Sequence, residues 1–175
     1  YNNNKPKNIK GIKLYKIDLT NIKKIKNIFK GVDILIQAAA TTSGAKDILS
    51  KPYMHVNDNA IMNSYMLKAS YINNIKHFIF PSCTIMYPNS KIPLNENEYS
   101  TNKIHPAYYG AANTKLYIEK MCKFFSSISK TKFTAIRHSN IYGPYDKFNL
   151  KTGHFIGSSF KKVFEKGEIF KIYGS

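Results

Sequence analysis

Three short apolar runs, separated by longer stretches with helical periodicity, constrain this chain more than any other feature. Residues 32–36 (V-D-I-L-I), 76–80 (K-H-F-I-F) and 133–137 (F-T-A-I-R) have strand length and end at small or polar residues. The first is almost continuously apolar, as expected of a strand covered on both faces. Between the first two, residues 55–71 place Val56, Ala60, Met62, Met66, Leu67 and Tyr71 at helical spacing, and Asn73-Asn74 breaks the pattern. A second helix opens near Gly110 and carries Tyr117, Ile118, Met121, Cys122 and Phe125 on an apolar stripe. Strand, helix, strand, helix predicts a parallel α/β sheet with ligands at the carboxyl ends of its strands.

The flanking segments read less sharply. Residues 1–8 are polar and loop-like, and residues 12–17 alternate enough for a short strand. Thr20 is the expected N-cap of a helix carrying Ile22, Ile25, Ile28 and Phe29, stopped by Gly31. Residues 89–106 form a long polar loop on the substrate side. His154 opens a last helix with Phe155, Ile156, Phe160, Val163 and Phe164.

At 175 residues the chain has the size of one core. It carries no signal-like or membrane-length apolar run, and we expect a soluble, cytoplasmic protein with no membrane partner. Cys83 and Cys122 lie in apolar surroundings on separate predicted elements, which argues against a disulfide framework. No metal is expected. The net charge of +17 invites polyanions, but only one of the 27 basic residues is an arginine, Arg137. Specific nucleic-acid surfaces lean on arginine for bidentate contacts, so no specific nucleic acid is expected. The Lys, Asn and Ile richness resembles a coding bias toward A and T, and weak polyanion binding at low salt follows in either case.

Lys115 lies one turn into its helix and faces whatever stands above the helix N-terminus. This stretch resembles the active-site helix of the extended short-chain dehydrogenase/reductase family (NAD-dependent epimerase/dehydratases), whose signature is Tyr at i and Lys at i+4. Q-A-A-A at 37–40, S-C-T-I-M-Y-P at 82–88, N-I-Y-G-P-Y-D-K-F-N at 140–149 and G-H-F-I at 153–156 extend the likeness in order. Within that family they are most similar to GDP-fucose synthase-like nucleotide-sugar epimerase/reductases. The resemblance implies a Rossmann-like, doubly wound sheet, bound NAD or NADP, and a nucleotide-sugar substrate.

It also implies roles. Asp18 and Leu19 match adenine-side contacts, and Ala38, Ala39 and Ala40 the strand end beneath the cofactor's phosphates and ribose. Ser82 and His138 stand at further strand ends as cofactor contacts. Lys115 matches the lysine that binds the nicotinamide ribose and lowers the tyrosine pKa. Cys83 occupies the position of the hydroxyl that hydrogen-bonds the sugar's C4 oxygen, with Thr84 as its neighbour. His154 matches the epimerisation acid, and Asn140 and Lys162 the substrate contacts.

Three residues depart from the pattern. The tyrosine position is Ala111, which transfers no proton. Cys83 offers a thiol, a weaker donor than a hydroxyl. Ile85 stands where the fucose synthase pattern has a cysteine base. Tyr109, two residues before position 111, is turned roughly 200° round the helix. We therefore expect reduced turnover, with a catalytically silent sugar-nucleotide-binding or scaffold protein as the alternative.

None of the nine glycines forms G-x-x-G-x-x-G. We expect residues 1–175 to be a partial NAD(P)-binding domain, with 145–175 entering the substrate-binding part. The glycine-rich turn would lie in an upstream unit of on the order of 30 residues, and the rest of the substrate domain downstream. In the 3-2-1-4-5-6 strand order the 12–17 strand then lacks a neighbour and the 32–36 strand has an open apolar edge, so the isolated chain should be marginal or aggregation-prone. At full length, the family's four-helix interface, using residues 60–71 and 115–125, implies a homodimer.

Overall fold

The computed structural model describes residues 10–25, 28–42, 50–150 and 153–166. Expectations for residues 1–8 lie outside this set. Three strands, β1 (Ile34–Ile36), β2 (His77–Pro81) and β3 (Lys132–Ile136), form a parallel sheet in the order β1-β2-β3. The register aligns Leu35 with Phe78 and Phe78 with Phe133. Each parallel step is made by a helix crossover, as the sequence pattern requires: α2 (Asn57–Ile72) joins β1 to β2, and α3 (Tyr109–Ile128) joins β2 to β3. The order of elements is that of a partial Rossmann-like α/β sheet.

Side chains alternate across the sheet, and one face carries the core. Phe78 and Phe80 are buried against Met66, Leu67 and Ala69 of α2 and Ile118 and Cys122 of α3, with Leu35 and Phe133 packed alongside. Burying a Phe or Leu side chain contributes about 1.5–3 kcal/mol, so this layer fixes the register: a one-residue slip would turn it to solvent. A second cluster, Met86, Ile104, Ala112 and Leu116, lies under the loop that follows β2.

The other face differs from expectation. Ile34 and Ile36 are 57% and 61% exposed, because α2 and α3 both pack on the Phe78 side and no described helix covers β1 from the other. Residues 12–17 form no strand, and Ile12 and Tyr15 are exposed. A strand needs a hydrogen-bonding neighbour, and the described sheet offers this segment none.

Local capping explains the remaining boundaries. α1 is a single turn (Ile22–Ile25) that buries Ile25 in the core. Its cap is Asn21, whose Oδ1 accepts from the Lys23 backbone N–H at 3.2 Å. Thr20 lies one residue further from the helix, and its N–H and hydroxyl both donate to the Asp18 carboxylate, at 2.9 and 2.7 Å. Gly31 ends the region at φ +78°. α3 starts one residue before Gly110, after a 3-10 turn (Pro106–Tyr108) in which His105 Nδ1 accepts from the Ala107 N–H. A Cβ on Gly110 would come within 2.7 Å of Val56 Cγ2, so the glycine lets α3 approach the chain leading into α2. α4 (Phe155–Lys166) opens after His154 as expected, and neither core cluster includes it. None of the described helices is long and apolar enough to cross a membrane.

The exposed isoleucines of β1 should drive self-association of the 175-residue chain. Replacing Ile34 and Ile36 with Thr keeps strand propensity while removing apolar surface. Light scattering is expected to show slower aggregation, with unfolding stability changed by about 0.5 kcal/mol or less.

Candidate active site

Lys115 reaches the carboxyl end of β2. Its Nζ donates to the Pro81 carbonyl at 2.7 Å and lies 4.7 Å from the centre of the Phe80 ring. Burial holds its pKa below the ordinary lysine value, with the Glu119 charge acting in the opposite direction. Cys83 is half-buried against the second cluster, and burial raises its thiol pKa. The sulfur thus stays protonated and able to donate. Lys115, Cys83 and Ser82 are brought together as the sequence suggests.

Ser82, expected as a cofactor contact, is committed within the protein instead. It is fully buried, its N–H donates to Ile136 of β3 at 2.8 Å, and its Oγ donates to Glu119 Oε1 at 2.5 Å. With no exposed surface and both donors spent, Ser82 shapes the strand end and does not itself face a ligand. Thr84 is exposed, and its carbonyl accepts from the Tyr87 N–H.

The neighbouring strands end at the same edge. Gln37 N–H donates to the Ile79 carbonyl, carrying β1 alongside β2 into the exposed Ala38, Ala39 and Ala40. The Gln37 side chain, itself buried, donates to the Ala39 carbonyl at 3.1 Å. Asn59 of α2 then grips the next residue from both sides: Oδ1 accepts from Thr41 N–H at 2.8 Å and Nδ2 donates to Thr41 O at 3.0 Å. Beyond β3, His138 is half-buried with Nδ1 2.7 Å from the Ser139 carbonyl, and Asn140 is exposed.

Asp18, Leu19, His154 and Lys162 lie on other segments of the chain. Asp18 is occupied by Thr20, whose hydrogen bonds hold its pKa below the usual carboxylate value, and Leu19 packs into the core. His154 is exposed at the start of α4, and Lys162 is half-buried on that helix. An open apolar cleft of about 600 Å³ separates α4 from residues 142–148, and none of Lys115, Cys83 or Ser82 lines it. Ala111 is half-buried one turn before Lys115, Tyr108 packs in the second cluster, and Tyr109 is 58% exposed on α3.

The residues missed from sequence are Glu119 and Arg137. Glu119 lies four residues after Lys115, on the same helix face. Arg137 Nη2 meets its Oε2 at 2.6 Å, and Nε lies 3.1 Å from both carboxylate oxygens. Arg137 Nη1 donates to the Tyr87 hydroxyl at 2.8 Å and to the Glu96 carbonyl, and the guanidinium stacks 4.7 Å over Tyr99. These bonds, led by the one to Glu119, raise the Arg137 pKa further. The available signals were the uniqueness of the arginine and the four-residue step from Lys115.

Glu119→Gln leaves the guanidinium, 15% exposed, without its charge partner. Denaturant titration is expected to show a loss of about 3–5 kcal/mol. Cys122 offers a pH test. Burial pushes its thiol up to about 12, from an ordinary value near 9. Between these values the unfolded thiol has lost a proton that the folded one keeps, so rising pH favours unfolding. The stability advantage of the parent over Cys122→Ala should therefore shrink as pH rises through that window.

A family model, NAD dependent epimerase/dehydratase, matches residues 1–175. Among curated proteins the chain is similar to the GDP-L-fucose synthase of Sinorhizobium fredii, 24% identical over 86% of this chain and 49% of that protein. It is likewise similar to the UDP-glucuronate 4-epimerase of Thermodesulfobacterium geofontis, 25% identical over 98% and 50%. The chain thus spans about half the length of these relatives. Among solved structures, the GDP-L-fucose synthetase of Naegleria fowleri bound to NADP superposes with a TM-score of 0.77 at 22% identity, over 90% of this chain and 54% of that one. The UDP-N-acetylglucosamine 4-epimerase of Methanobrevibacter ruminantium does so at 0.76 and 27% identity, over 92% and 50%. With the parallel sheet, the lysine at its carboxyl edge and the family match over the whole chain, the protein belongs to the NAD-dependent epimerase/dehydratase family.

Proposed function

We propose that this chain is the nicotinamide-facing part of a GDP-fucose synthase-like nucleotide-sugar epimerase/reductase that binds NAD or NADP and in which Ala111 has removed the proton-transfer group. The observation that carries this reading is the Lys115 ammonium, seated on the Pro81 carbonyl at the strand end with one of its three N–H donors engaged there. The residues present fit the ribose half of a dinucleotide. A half-buried amine faces hydroxyl acceptors, and three exposed alanines leave room for a flat ring over β1. A bound nicotinamide supplies hydride transfer to or from the sugar.

The chain's own residues divide the remaining work. Lys115 binds and orients ribose. Cys83, kept protonated by burial, donates a weak hydrogen bond toward the sugar's C4 oxygen, with Thr84 beside it. His138 borders the cofactor, and Asp18 and Leu19 lie on its adenine side. Asn140 and Lys162 face the sugar nucleotide, and His154 is the acid for epimerisation. Residues 145–175 lead into the substrate-binding part, consistent with α4 standing outside both cores. A homodimer through α2 and α3 and a cytoplasmic location belong to the same proposal. Exposed Ile61, Tyr117 and Phe124 on those helices support the first, and the free thiols of Cys83 and Cys122 the second.

A second reading, a silent sugar-nucleotide-binding protein, is favoured by Ala111 itself, since neither flanking tyrosine stands at that position. One experiment separates the two. In the full-length protein, Ala111→Tyr is expected to raise turnover of a 4-keto nucleotide sugar with NADPH by about 100-fold or more. NADPH binding, followed by fluorescence, should persist in the parent and weaken in Lys115→Met. Binding without any gain of turnover identifies the silent protein. Absence of binding in the parent rejects both.

A further inference from the structure

Glu119 and Arg137 lie outside the roles assigned above, yet they touch every segment that surrounds Lys115. Glu119 shares α3 with Lys115. Its Oε1 accepts from Ser82, which is bonded in sequence to both Pro81, the acceptor of Lys115, and Cys83. Its Oε2 binds Arg137, the first residue beyond β3. Arg137 then passes across to the 83–99 loop, donating to the Tyr87 hydroxyl and the Glu96 carbonyl and lying against the Tyr87 and Tyr99 rings, 5.4 and 4.7 Å from their centres. One carboxylate and one guanidinium therefore tie α3, the end of β2, the end of β3 and the loop into a single unit.

The geometry needs a planar fork. Nε and Nη2 address the carboxylate while Nη1 addresses the loop, and a lysine ammonium cannot serve both directions with its ring-stacking surface intact. In a chain whose basic residues are otherwise all lysine, this is the position that carries arginine.

We infer that the Arg137–Glu119 pair is a positioning device that holds the 83–99 loop so that Cys83 stays against Lys115. Its catalytic meaning rests on the proposed nicotinamide site; its hold on the loop does not. The two thiols, one half-buried and one buried, let the device be read directly. Cys83 sits on the held loop, whereas Cys122 sits in the main core and reports opening of α3 from the sheet.

Iodoacetamide labelling of the native full-length protein, with each cysteine followed by peptide mass, tests the inference. In Arg137→Lys, Cys83 is expected to label about tenfold faster while Cys122 is unchanged, as local release of the loop requires. Tyr87→Phe, which keeps the ion pair and removes one loop contact, should shift Cys83 in the same direction by less. Unchanged Cys83 labelling in Arg137→Lys overturns the inference, and so does a parallel rise at both thiols, which marks general destabilisation. In the Ala111→Tyr background, adding Arg137→Lys should lower kcat by about a hundredfold with KM for NADPH unchanged. An unchanged kcat there overturns the positioning role. If Ala111→Tyr gains no turnover, the proposed reaction fails instead, and the labelling comparison alone decides the fate of the clamp.

Discussion

The site is organised by a carboxylate that must be neutralised where water is scarce. Glu119 is held at the sheet edge with its side chain 12% exposed. A charge so placed is stable only when paired and fully hydrogen-bonded. Its partners, Ser82 and Arg137, come from two other segments, and Arg137 reaches on to the loop, so satisfying one residue fixes the relative positions of α3, β2, β3 and that loop. Lys115 inherits its place from this arrangement, because one helical turn separates it from Glu119 and one peptide separates its acceptor from Ser82.

Much of the fold was legible because burial dominates it. Phe78, Phe80, Leu35 and Phe133 alternate as a one-sided sheet demands, and the apolar repeats of α2 and α3 point to the same core. What failed was where tertiary context decides. Residues 12–17 have the pattern of a strand, but pattern supplies no hydrogen-bonding neighbour. Ile34 and Ile36 read as doubly covered, yet among the described residues only the Leu35 side has a helix layer. Thr20 has the chemistry of a cap, but it lies one residue further from the helix and Asn21 takes the role.

The site was legible to the same degree and for a parallel reason. Lys115 and Cys83 could be placed because a residue spacing translates directly into a helix face or a loop position. The bond that spends the Ser82 hydroxyl on Glu119 could not, since it joins residues 37 apart in sequence. Arg137 was noticed as a compositional oddity without its geometry. Long-range polar networks leave little periodic signal, so they emerge only when the strands are set side by side.

Pro81 closes β2 with a consequence for the shape of the crevice. In a parallel strand successive N–H groups point to opposite neighbours. His77 N–H faces β1, at Asp33, and Ser82 N–H faces β3, at Ile136. Position 81 therefore faces β1, and there proline has no hydrogen to give. The rung that would have fastened the Gln37 carbonyl is missing, so the first two strands are free to part where the third remains sewn to the second. The gap beside Ala38 is thus written into the main chain rather than into any reactive side chain. Such a missing rung depends on a ring closed onto the backbone nitrogen, so it persists at any pH and whatever side chains surround it.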